Sequence, residues 1–274
     1  MIALYIAIPV VLLLGFWIFL IAPGKSEGMD RYKSVKYAHR GLHGTVGEES
    51  FCAENSMTAF KRAVDRGFGI ELDVHVTADG EVVVFHDATL DRVTGASGKI
   101  KEKTLAELRE LRLMGTEDTI PTFREVLELV DGKVPLLVEL KETGSNHAIS
   151  ESTAQILAEY KGEFIVESFS PLAFGAIKEK LPETPRGFLA DKFTVKKKYR
   201  TLKHALTQRF VFNFLVRPAF IALNHKTPKL FPVGLIRRLF GTPMIAWTVR
   251  SAEEEKKAYE NGFSGIIFEG YLPK

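Results

Sequence analysis

The stretch GIELDVHVTADGEVVVFHD, residues 69–87, decides how the chain is read. Its first half alternates Ile70, Leu72, Val74 and Val76 with Glu71, Asp73 and His75, the period of a β-strand whose successive side chains point to opposite faces. Glu71 and Asp73 therefore project together, and His75 shares their face. A second apolar run, Glu81–His86, follows after only Thr77-Ala78-Asp79-Gly80. A parallel crossover needs about a dozen residues or more, so the two runs form a hairpin that folds His86 back opposite Leu72 or Asp73.

Seven further apolar runs of strand length flank this hairpin: Val35–His39, Leu136–Lys141, Phe164–Phe169, Arg186–Ala190, Ala219–Asn224, Met244–Val249 and Gly265–Phe268. Helix signals lie between them. Ser56 caps a helix running through Arg66, Thr122 with Glu125 and Ser251 with Glu254 have capping-box spacing, and Pro171 sits where a first-turn proline belongs. Eight largely apolar strands alternating with helices predict an α/β fold, a parallel (β/α)8 TIM-type barrel. The 274 residues suit one barrel of about 250 residues. Residues 88–120 carry few periodic signals and are expected as a small inserted segment over one end of the barrel.

Charge is unevenly spread. The formal net charge is +3, yet residues 192–252 contain no Asp or Glu and hold 13 of the 37 Lys and Arg, leaving 24 basic against 34 acidic groups elsewhere. Within this block, residues 192–216 begin with seven basic side chains by Arg209, among which Tyr199, Leu202, Leu206 and Phe210 recur at helical spacing. The expectation is a basic amphipathic segment, either a solvated face or a contact for an anionic membrane surface; no nucleic-acid signature accompanies it. Cys52 is the single cysteine, so neither a disulfide framework nor a thiolate metal cluster is available.

Residues 2–22, IALYIAIPVVLLLGFWIFLIA, contain no charge. At about 1.5 Å per residue they could cross a hydrocarbon core of about 30 Å, and they lack the basic start of a cleaved signal peptide. Residues 1–24 are accordingly expected as a transmembrane anchor, 25–34 as a polar linker and 35–274 as the barrel. Lys25, Arg31, Lys33 and Lys36 follow the apolar run and favour a single-pass protein with a cytoplasmic catalytic domain.

Catalytic groups of such a barrel belong at the C-terminal ends of its strands. There the sequence places His39 and Arg40, Glu71 and Asp73, His86, and Glu139 with Lys141. Three convergent carboxylates repel unless a proton or cation intervenes, so Glu71, Asp73 and Glu139 are the candidate metal ligands. Oxygen ligands favour Mg2+ or Ca2+, and nearby imidazoles leave Mn2+ or Zn2+ open. His39 and His86 are candidate acid and base, Arg40 and Lys141 suit phosphate oxygens, and Phe169 and Trp247 are candidate substrate walls.

These residues resemble the glycerophosphodiester phosphodiesterases. The match runs through His39-Arg40-Gly41, Glu54-Asn55-Ser56, Glu71-Leu72-Asp73-Val74, Thr77-Ala78-Asp79-Gly80, Phe85-His86-Asp87, Glu139-Leu140-Lys141, Ser168-Phe169 and Trp247-Thr248-Val249. The resemblance implies a TIM-barrel enzyme that hydrolyses glycerophosphodiesters to glycerol phosphate and an alcohol, with the metal, histidine and phosphate roles given above. Three departures fall late or beside the motif: Ala53 for the usual Pro, Arg250 for the usual Asn, and Phe268-Glu269-Gly270 for the usual Thr-Asp. They bear on the alcohol side of the substrate, leaving a lysophospholipase D-like activity and a non-catalytic binding barrel as the competing expectations.

Overall fold

The computed structural model describes residues 2–25, 27–47, 49–141, 148–191, 202–227 and 231–274. Nine strands form one sheet: β1 (Lys36–Ala38), β2 (Gly69–Val76), β3 (Val82–Val84), β4 (Leu136–Leu140), β5 (Phe164–Ser168), β6 (Arg186–Ala190), β7 (Phe220–Asn224), β8 (Met244–Val249) and β9 (Gly265–Phe268). Eight of them are parallel and close on themselves, since β1 pairs with both β2 and β9. The expected TIM-type barrel is present. β3 lies antiparallel on β2 with Val74 opposite Val84, and the Phe85 N–H donates to the Asp73 carbonyl at 2.9 Å, so the hairpin continues toward His86 as its short turn demanded.

Side chains alternate in and out of the barrel, and the inward set changes character along each strand. Tyr37, Leu137, Ile165, Leu189, Ala222, Ile245 and Ile267 fill the lower interior together with Met29 and Tyr32. One step further along their strands stand Glu139 and Glu167. Outward residues such as Ile70, Leu72, Val138 and Val166 pack under the helices in a second, larger core. Removing this apolar surface from water, at about 25 cal/mol per Å2, is what holds the barrel closed. Gly187 is required in the lower layer, because a Cβ there would lie 2.1 Å from the Phe220 ring.

Local capping follows the sequence. Ser56 accepts from the Ala59 N–H and starts the helix Met57–Asp65, and Thr122 with Glu125 completes a capping box on Phe123–Val130. Residues 88–120 form short helices around their own small core of Leu90, Val93, Ile100, Leu108, Leu113 and Ile120, which continues into Val83 and Phe85.

Three expectations at the periphery are corrected. The apolar N-terminal segment is the helix Ile2–Ile21, and among the described residues no helix is long and apolar enough to cross a membrane. The final turns are moreover taken up by the barrel: Ile21 is buried, Trp17 stacks on Phe231 at 5.9 Å, Asn213 Nδ2 donates to the Ile21 carbonyl and Arg217 to those of Phe19 and Ala22. The transmembrane anchor, and the single-pass cytoplasmic placement read from it, are therefore withdrawn. Residues 25–34 are no free linker either, for Glu27–Arg31 forms a 3-10 turn whose Met29, with Tyr32, plugs the barrel.

Of the basic amphipathic segment, residues 192–201 lie outside the described residues. The remainder does not present one apolar face. The helix Leu202–Gln208 ends before Phe210, whose φ of 60° turns its ring into the core against Phe188, whereas Leu202 is 75% exposed.

Candidate active site

The acidic centre is assembled by strand register. Asp73 pairs with Glu139 across β2 and β4, and Glu139 with Glu167 across β4 and β5, so three carboxylates stand in a row while Glu71 projects from β2 two residues below Asp73. All four side chains are buried. Oxygens of Glu71, Asp73 and Glu139 lie within 4.8 Å of one another. Such crowding is costly without a positive charge between the groups.

The protein supplies part of that charge. Lys141 Nζ sits 2.9 Å from Asp73 Oδ1 and 2.8 Å from Glu139 Oε2. The Arg40 N–H donates to Glu71 Oε2 at 2.8 Å, and its guanidinium bonds Glu54 at 2.7 Å while Nε lies 3.6 Å from Asp73. Asn55 Nδ2 donates to Asp73 Oδ2 at 2.8 Å. These contacts need two residues in the left-handed region, Arg40 at φ 55° and Asn55 at φ 52°, joined by the Asn55 N–H to the Arg40 carbonyl. Asparagine adopts that conformation readily; arginine does not, and the strain is held by the bonds on both sides.

Two opposing pulls act on the carboxylates. Burial would raise Asp73, but Lys141 and Arg40 override it and hold Asp73 well below the usual carboxylate range. Burial, then Asp73 and Glu139, push Glu71 well up, and burial brings Glu139 to about 7 despite Lys141. Burial with Glu139 and Glu71 likewise raises Glu167. Glu71, Asp73 and Glu139 thus form a dry, all-oxygen, over-crowded set that a divalent cation fits.

Both expected histidines are present, each held by a carboxylate. His39 Nδ1 is 2.5 Å from Glu269 Oε2, and His86 Nδ1 is 2.6 Å from Asp87 Oδ1. Burial lowers His39 to about 4, outweighing Glu269, while Glu269 itself, raised by burial, is brought to about 2 by its bond to His39. A neutral imidazole beside an ionised carboxylate donates from Nδ1, which leaves the Nε2 lone pair free. Burial also lowers His86, against the pull of Asp73. His75 bonds the His86 carbonyl at 3.2 Å and so supports the hairpin.

His39, Arg40, Glu71, His86, Glu139 and Lys141 line one cavity of about 330 Å3 at the C-terminal ends of the strands. Phe169 and Trp247, edge to face at 5.8 Å, form its apolar wall with Leu189 and Ile267. Of the residues expected in the site all but Asp73 line this cavity; Asp73 stands behind them, held by Lys141 and Asn55, and Lys141 is itself engaged with carboxylates. Sequence reasoning missed Glu167, Glu269, Asp87 and Arg92 as parts of the site. A signal existed for Glu167: like Glu71 and Glu139, it is an acid inside an otherwise apolar strand.

Residues 39–270 match the glycerophosphoryl diester phosphodiesterase family. A glycerophosphodiester phosphodiesterase of Caldanaerobacter subterraneus subsp. tengcongensis is 32% identical over 249 residues, 86% of this chain and 93% of that protein. The lysophospholipase D of Rattus norvegicus is 32% identical over 149 residues, covering 50% of this chain and 45% of its own length. Among solved structures, an Oleispira antarctica phosphodiesterase in complex with the product sn-glycerol-3-phosphate superposes with a TM-score of 0.69 at 24% identity, over 87% of this chain and 94% of that one. The barrel, the acidic row at its mouth and this near full-length similarity agree: the chain belongs to the glycerophosphoryl diester phosphodiesterase family, a family of enzymes.

Proposed function

We propose that the protein hydrolyses glycerophosphodiesters to glycerol phosphate and an alcohol. The observation that carries this reading is the meeting, in one cavity, of three buried carboxylates with two histidines that are each fixed through Nδ1. Glu71, Asp73 and Glu139 would hold a divalent cation, with Mg2+ or Ca2+ favoured by the oxygen donors and Mn2+ or Zn2+ compatible, and such a cation neutralises charge on phosphoryl oxygens. Arg40 and Lys141 orient the phosphate from the same wall. His39, neutral with Nε2 free, accepts a proton; His86, which burial lowers against the pull of Asp73 and which Asp87 holds through Nδ1, returns one to the departing alcohol. The product bound to the Oleispira antarctica enzyme supports the same small-molecule class.

A second reading is a lysophospholipase D-like activity. It is favoured by the similarity to the rat lysophospholipase D and by the apolar wall of Phe169, Leu189, Trp247 and Ile267. Parallel assays on glycerophosphocholine and lysophosphatidylcholine, each with and without chelator, separate the two. Release of glycerol phosphate from the first, abolished by chelation, is the expected outcome. Turnover of the lysophospholipid alone transfers the conclusion to the second reading, and full activity in excess chelator removes the metal.

A further inference from the structure

Beside the acidic row lies a second cluster of donors, which shares His39 with the proposed reaction and adds His43, to which that reaction gives no part. Glu269 Oε2 is 2.5 Å from His39 Nδ1 and 3.9 Å from His43 Nε2, and one donor atom from each of the three residues lies within 4.8 Å of the others. His43 Nε2 is buried and has no hydrogen-bond partner. Arg250 holds the Glu269 carboxylate mainly by Oε1, through Nε at 3.2 Å and Nη2 at 3.1 Å, with Nη2 also 3.2 Å from Oε2, and so fixes Oε2 beside the two imidazoles. The side chains remain 14%, 17% and 23% exposed, so an ion and a water can enter.

We propose that His39, His43 and Glu269 form a second cation site, specific for a borderline dication such as Zn2+, whose occupation switches the enzyme off. Two imidazoles and a carboxylate with an open fourth position are a zinc donor set, unlike the all-oxygen set of Glu71, Asp73 and Glu139. Burial keeps both histidines in the neutral form that ligates, and Glu269 is ionised. The hold of Arg250 on Oε1 is the outer support that ligating carboxylates commonly have. The inhibitory consequence rests on His39 acting as the base; the site itself does not.

The switch is a change of tautomer. An ion bound at His39 Nδ1 displaces the proton that Nδ1 now shares with Glu269, and that proton moves to Nε2. Nε2 then donates and can no longer accept. Substrate still enters, because the cavity wall is unchanged, so kcat falls while KM holds.

Co2+ is the probe for the metal-stripped full chain. Four-coordinate nitrogen-containing Co2+ absorbs strongly in the visible range, whereas six-coordinate Co2+ among oxygens absorbs faintly. A strong band in the wild type, lost in both His43→Ala and the bulkier His43→Gln, is the expected result. With saturating Mg2+ on the carboxylates, Zn2+ should inhibit the wild type through kcat, and either variant should keep basal activity while needing about tenfold more Zn2+ or more. A missing band, or one that survives both substitutions, overturns the site. A band that behaves as expected without His43-dependent inhibition overturns the switch and the base role of His39 while leaving the site in place.

Discussion

Arg92 donates Nε to Asp87 Oδ2 at 2.6 Å, and the other oxygen of that carboxylate holds His86. The same guanidinium bonds both oxygens of Glu54, at 2.8 and 2.6 Å, and Glu54 in turn holds Arg40. One side chain of residues 88–120 thereby fixes at once His86 and Arg40, the proposed acid/base histidine and the proposed phosphate-binding arginine. Arg92→Ala is expected to lower kcat by about 10- to 100-fold, as loss of an outer partner typically does. Arg92→Lys should not restore it, because an ammonium cannot serve two carboxylates as a planar fork does. Free guanidinium should recover part of the loss in the alanine variant. An alanine variant with wild-type kcat would remove Arg92 from the site.

Glu269→Gln tests the other dyad. Burial lowers His39 to about 4, and the bond to Glu269 acts against burial. Taking away that anion lowers His39 further, so the acid limb of kcat/KM should move to lower pH. The plateau should drop by about 10²-fold, since the imidazolium formed during turnover loses its counter-charge. A limb that moves upward contradicts this account.

The carboxylates make stability depend on pH and metal. Glu71 is raised well above its unfolded value and Glu139 to about 7, so as pH climbs through about 4.5 the unfolded chain loses those protons before the folded one does. The metal-free protein should therefore lose stability as pH rises toward and past 7. Asp73, held low, is ionised throughout this range and adds no slope. A cation that displaces the protons restores stability, increasingly so at higher pH. Thermal unfolding in chelator and in excess Mg2+ between about pH 5 and pH 8 should show a widening gap.

Glu167 and Glu139 are register partners with different expected roles. Burial and its acidic neighbours push Glu167 well up, toward its protonated form, so Glu167→Gln, the isostere of that form, should leave metal affinity and melting temperature nearly unchanged. Glu139→Gln should weaken metal binding severely. Equal losses from the two, measured by calorimetric titration, would place Glu167 among the ligands instead.

Much of this was legible in the residues. Strand boundaries such as Gly69–Val76 and Met244–Val249 follow from apolar runs, and the grouping of Glu71 with Asp73 follows from the two-residue period of a strand. What escaped was whatever depends on separation in sequence. The pairing of His39 with Glu269 spans 230 positions, and only closure of β1 on β9 brings it about. The N-terminal helix misled for a related reason: hydropathy reports that Ile2–Ile21 is apolar, but not that its last turns lie against Asn213, Arg217 and Phe231. The expected stripe of Leu206 and Phe210 failed because one residue of left-handed backbone is invisible to periodicity.

That closing seam also times the appearance of activity. The His39 N–H bonds the Phe268 carbonyl at 2.9 Å, and Glu269 follows directly, so the proposed base acquires its carboxylate only when a segment 230 positions further along the chain docks beside β1. A nascent chain that has delivered the whole acidic row and His86 still lacks an oriented His39. Contacts of such long range also form late and slowly in folding. On the proposed roles, diester cleavage is in this sense a proofreading signal, reporting that the barrel has finished rather than merely begun.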